Sequence, residues 1–194
     1  MTLSIDDILS PDAFQAQRAK LEREVIDAKR IRRISLGDHM TLLFENHLTM
    51  KWQVQEMARV EGIHSREGIA HELETYNALL PTASRLSATL LIEYPEPSER
   101  DSMLYKLNGL DQHLFLELAG TSRAHATFDA TQWNEERISS VQFIDFPLDD
   151  EQRTALADLN SSAELVVDHP NYQARTSLSG PTRGALVEDM CGPR

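Results

Sequence analysis

The stretch from Leu86 to Tyr94 constrains this chain most. Leu86, Ala88, Leu90, Ile92 and Tyr94 alternate with Ser87, Thr89, Leu91 and Glu93, and Pro95 and Pro97 close the run. A period of two sends the first set to one face of a strand and the second set to the other. An amphipathic strand of this kind belongs to a sheet with one face packed, which is the pattern of antiparallel architecture.

Ahead of that strand the period is helical. Ser10-Pro11 reads as a cap followed by proline in the first turn, and the helix runs to about Arg33 with Phe14, Leu21, Val25 and Ala28 as its stripe. Ile31 should face the core if the helix persists to that point. A strand over about Ile34–Glu45, bent near Gly37, leads to helices over Leu48–Glu61 and Arg66–Leu80, divided by Gly62 and closed by Pro81. Behind Pro97 come a helix (Ser98–Leu107), a strand (Leu114–Ala119) and a hairpin through Gly120-Thr121-Ser122 into Arg123–Phe128. Ile138–Phe146 reads as a central strand, Asp149–Leu159 as a helix and Glu164–Asp168 as a short strand. The expected architecture is one α+β domain over residues 1–194. It has a helical part at about 10–82, a strand-rich part at about 83–170 and a tail at 171–194 carrying a last helix near Thr182–Met190. Its N-terminal helices should pack on a mixed, mainly antiparallel sheet of five or six strands.

Charge and cysteine usage exclude several functions. The formal net charge is −12 at pH 7, so the surface repels nucleic acid and anionic membrane. The single cysteine, Cys191, rules out an internal disulfide, a zinc finger and an iron–sulfur cluster ligated by this chain alone. Met1 to Pro11 has no basic residue, unlike a signal peptide, and apolar runs such as Met40–Phe44 are too short for membrane insertion. A cytoplasmic location is expected.

Four groups of residues could carry chemistry. On the two central helices, Glu56 and Glu72 lie at the edges of the apolar stripes, with Gln53 and Tyr76 as hydrogen-bonding neighbours. Facing carboxylates can share a proton or hold a hard divalent metal; the alternative is an ordinary polar network at the core boundary. On the strands, Thr41, Glu45, Ser87, Thr89 and Glu93, with Glu117 as a further member, would form a row that is either a ligand groove or a solvated sheet face. Asp168-His169-Pro170 invites an acid–base reading, although adjacent residues on an extended chain point apart and a structural turn before Pro170 explains them too. Lastly, residues 15–33 hold seven Lys/Arg against three Asp/Glu. Lys29, Arg30, Arg32 and Arg33 could dock an acidic partner or an anion, or simply answer the helix dipole. His71 points away from its helix's apolar stripe and is expected in solvent.

The segments Lys29–Arg33 with Leu36-Gly37, Thr41–Glu45, Gln53–Met57, Glu72 to Asn77, Leu86–Thr89, Arg137–Gln142 and Val166–Pro170 together resemble a bacterial family of uncharacterised proteins, a domain of unknown function. The resemblance spans nearly the whole chain. It implies gene neighbours of the rubrerythrin-like and iron–sulfur oxidoreductase kinds, and hence an accessory or interaction role in redox or peroxide defence with such a protein as partner. The alternative is a metal- or small-ligand-binding enzyme or sensor using Glu56 and Glu72.

Overall fold

Two antiparallel sheets share the apolar residues that the strand alternation marks. The computed structural model describes residues 2–129 and 137–191. One sheet has the order β1 (Arg33–Leu36), β2 (Met40–Phe44), β3 (Arg85–Ile92), β7 (Val141–Pro147), β6 (Thr127–Phe128). The other runs β5 (Ser122–His125), β4 (Leu114–Leu118), β8 (Ala163–His169), β9 (Tyr172–Ser177). Leu42, Phe44, Leu86, Leu90 and Phe146 of the first sheet meet Leu114, Leu116, Leu165 and Val167 of the second in a single core. The α+β class stands, with two sheets of five and four strands where one sheet of five or six was expected.

Both lateral seams between the sheets are closed. On one side the chain crosses at Ala126, whose N–H donates to the Leu114 carbonyl at 2.9 Å, so β5 serves one sheet and β6 the other. The expected strand Arg123–Phe128 is divided at this point. On the other side β9 lies beside β1. There the Thr176 hydroxyl donates to the Ser35 carbonyl (2.7 Å), while the Tyr172 hydroxyl donates to the Leu36 carbonyl (2.7 Å) and accepts from the His39 N–H (3.0 Å). Gly37 sits under that hydroxyl at φ +68°, and a Cβ there would collide with the Tyr172 oxygen. The bend expected near Gly37 is therefore a full reversal, and the strand over 34–45 is a hairpin.

The helices form a second layer and plug the ends. The first helix, α1 (Pro11–Arg30), stops before the basic run, because residues 33–36 are drawn into β1. Ile31, expected in the core, is 36% exposed as a result. The helix α1 packs on α2 (His47–Glu61), which packs on α3 (Arg66–Asn77), with Leu3, Met50, Val54, Leu73 and Leu80 as a small separate core. Capping sets their bounds: Ser10, Asn46 and Ser65 accept from the first-turn amides, and Gly62 ends α2 at φ +67°. Three more helices follow: α4 (Pro97–Lys106), α5 (Asp150–Ala157) and α6 (Gly180–Cys191). The region expected as a tail thus holds β9 and α6, and sends Leu178, Leu186 and Met190 into the main core. No helix among the described residues is long and apolar enough to cross a membrane.

Candidate functional site

The helical layer places Glu56 against cations. Arg18 of α1 reaches it with two bonds, Nε–Oε1 at 2.7 Å and Nη2–Oε2 at 3.2 Å, and Arg59 Nη2 adds a third at 2.7 Å. Arg18 also lies over the Trp52 ring, 5.4 Å from its centroid. Burial pushes the Glu56 carboxyl up, but the hydrogen bonds from Arg18 and Arg59 outweigh it and hold the group below the usual carboxylate range. Gln53 of α2 and Tyr76 of α3 are neighbours. Burial is the main cause that raises the Tyr76 hydroxyl, Gln53 opposes it, and the charge of Glu72 one turn earlier adds to the rise. Glu56 thus has two guanidinium partners, whereas Gln53 and the charge of Glu72 act on the Tyr76 phenol. His71, as its helical position predicts, is exposed.

The strand row divides between the sheets. Glu45, 6% exposed, accepts from the Thr49 hydroxyl (2.6 Å) and the Thr89 hydroxyl (2.8 Å), so Glu45 and Thr89 are indeed neighbours. Thr49 also caps α2 with Asn46, so this carboxylate fastens the start of α2 to β3. Glu93 lies further along β3's path, exposed, beside a hollow of about 420 Å³ lined also by Tyr94, Arg100 and Val141. Glu117 does not belong to this row: it is on β4 of the other sheet, because register pairs it with Arg123 and Glu164.

That other sheet carries a charged face. Glu117 is held by Arg175 (2.6 Å) and Arg123 (3.5 Å), Arg175 also pairs with Glu164, and Arg123 approaches Asp168 (3.7 Å) while lying 4.3 Å over the Phe115 ring. Asp168 accepts from or pairs with His113 Nδ1 at 2.9 Å. His169 turns inward, as alternation requires, and is 4% exposed. Its Nδ1 accepts from the Asn171 N–H (3.1 Å), which leaves Nε2 to donate to the Asn108 carbonyl (3.2 Å) and assigns the neutral tautomer. Asp168 and His169 therefore act apart. Local sequence does not mark His113, Arg123 and Arg175 as partners of Asp168 and Glu117, since only strand register brings them there.

The basic run also divides. Arg32 is 7% exposed and grips Asp189 of α6 with two bonds, 2.7 and 2.9 Å, while Asn46 Nδ2 donates to the same carboxylate at 3.2 Å. Arg30 is exposed and faces Asp27 at 3.5 Å. Lys29 and Arg33 make no ion pair among the described residues, and Ile26 (59% exposed) and Ile31 stand beside them. Among the described residues, no three His, Cys, Asp or Glu side chains gather so that they could hold a metal ion.

Residues 2–190 match a family described as a protein of unknown function, DUF3501. The fold matches the crystal structure of a novel protein of unknown function from Burkholderia pseudomallei K96243, with a TM-score of 0.90 and 32% identity over 98% of this chain and 100% of that one. No curated protein matches the sequence.

Proposed function

The chain belongs to the DUF3501 family, and from that membership and the surface of α1 we propose that it is a cytoplasmic interaction protein that docks an acidic partner. One observation carries the reading. On a chain of net charge −12, the segment richest in cations exposes Arg30 and Arg33 together with two large aliphatic side chains, Ile26 and Ile31. Exposed aliphatics ringed by arginine are the composition of a protein interface, and the cations favour an acidic surface over nucleic acid or membrane, which the rest of the chain repels. The redox setting comes from the family resemblance, so the partner is a rubrerythrin-like or iron–sulfur protein in peroxide defence. The other reading, a divalent metal between Glu56 and Glu72, is weaker, because the metal would have to displace Arg18 and Arg59 from Glu56.

The test is calorimetric titration against rubrerythrin-like and iron–sulfur proteins from the same organism. Arg30→Glu with Arg33→Glu should weaken capture about tenfold or more while the melting temperature stays within about 2 °C. Loss of fold in place of loss of binding would mean that these arginines are structural, and binding to none of those proteins would end the redox assignment.

A further inference from the structure

The helical layer contains a half-open hollow of about 710 Å³ between the N-terminal segment, α1, α2 and α3. Its size is that of small-molecule sites, which run from about 300 to 1,000 Å³. Ile5, Ile8, Leu9, Phe14, Ile63 and Ile69 give it an aliphatic lining with one aromatic ring. The wall formed by the N-terminal segment is pinned by side-chain amides. Gln55 accepts from the Leu9 N–H (2.6 Å) and donates to its carbonyl (3.3 Å), and Asn77 brackets Leu3 in the same way (2.8 and 2.9 Å). The hollow is thus built, and the small core of the layer leaves it unfilled.

Its charged lining residues come from different elements by sign. Asp6 and Asp12 stand on one wall, in the first turns of the 3-10 turn Ile5–Asp7 and of α1, where free backbone N–H groups favour acids. Arg59, His64 and Arg66 stand on the other. Arg59 spends Nε and Nη2 on Glu56. Arg66 is different: it is the first residue of α3, where a cation opposes the helix dipole, and it makes no ion pair among the described residues. Among the described residues Arg66 is thus an exposed cation with no acidic partner, and it lines the aliphatic hollow.

We propose that the hollow binds a small aliphatic carboxylate, with the chain against the isoleucines and the carboxylate on Arg66 beside His64. The site is separate from the α1 docking surface and does not depend on it.

Decanoate is the probe, titrated into the full chain by calorimetry. Trp52, whose ring meets Phe14 edge-on at 5.6 Å, reports the same event by emission in a Trp133→Phe background. Saturable one-to-one binding is expected. Decylammonium, with the same tail and opposite charge, should bind about tenfold more weakly or worse. Arg66→Glu, at an exposed position that leaves the fold intact, should weaken decanoate about tenfold or more, and Ile69→Trp, which fills the hollow, should abolish its binding. Absence of saturable binding would overturn the proposal. So would unchanged affinity in either variant, or decylammonium binding as well as decanoate.

Discussion

Replacing Arg183 with methionine removes the guanidinium that joins α6 to the end of α5. Arg183 is 4% exposed, and its donors reach the carbonyls of Leu156 (2.6 Å), Ser161 (2.7 Å), Ala155 (2.5 Å) and Asp158 (2.7 Å), and the Ser161 hydroxyl (3.1 Å). Those carbonyls belong to the last turn of α5 and the turn beyond it, which have no partners within the helix. The Ser161 hydroxyl also bonds the Ala155 and Asp158 carbonyls, at 2.8 and 3.0 Å, so it partly replaces Arg183 there. Among the described residues the Leu156 and Ser161 carbonyls have no such substitute, and at about 1–3 kcal/mol for each stranded acceptor the loss is about 2–6 kcal/mol. Burial also pulls the Arg183 pKa below its ordinary value, the sign of a desolvation cost that methionine would not bear, so the expected net loss is about 3 kcal/mol. For a chain of this size that lowers the melting temperature by about 6–12 °C. Arg183→Lys should do no better, because a point charge with three donors cannot span four carbonyls in the plane of a guanidinium. Urea unfolding followed by circular dichroism, with the melt beside it, measures both. A methionine variant melting within about 2 °C of the parent would refute the reasoning.

Three further outcomes follow from the same geometry. Arg32→Ala should cost about 3–5 kcal/mol, since it strands the buried Asp189, whereas Arg33→Ala should change stability by less than about 0.5 kcal/mol; equal effects in urea unfolding would contradict their different burial. Glu56 and Glu164 are both held below the ordinary carboxylate range. The stability they contribute is complete above the unfolded value of about 4.3 and drains away as pH falls through their lower folded values. Denaturation midpoints should therefore drop from pH 5 to pH 3, and a rise would break the sign. Gly37→Ala should cost about 2 kcal/mol or more from the positive φ and the Tyr172 clash, and adding Tyr172→Phe should recover part of it; strict additivity in a double-mutant cycle would show that the two do not touch.

How much could be read beforehand depended on the range of the interaction. Alternation along 86–94 located β3 and its inner face correctly, because parity is a local property. Asp168 and His169 were separable for the same reason. The second sheet was not legible: Leu114–Leu118 pairs with Ala163–His169 across some fifty residues, and nothing within either strand says whether its neighbour is β3 or β8. Parity gives the outward direction of Glu117 but not the sheet it belongs to. Arg32 shows the same limit more sharply. Its neighbours Arg30 and Arg33 are exposed, and what sets it apart is Asp189 at a separation of 157 residues.

The filled interior restricts where function can reside. Among the described residues the space between the sheets is filled by buried apolar side chains, so a ligand would have to unpack the core to enter there. On the outer face of β4 and β8 the carboxylates are largely matched by Arg123 and Arg175, which leaves little unspent charge to recognise a partner. The helical layer differs in both respects. It has a small core of its own, a hollow that its side chains do not fill, one arginine set against its helix dipole, and an exposed cation–aliphatic surface at the far end of α1. The Arg30/Arg33 and Arg66 variants probe opposite ends of that layer. If the layer is where this protein acts, each should lose its own ligand and keep the other's, with the fold intact in both.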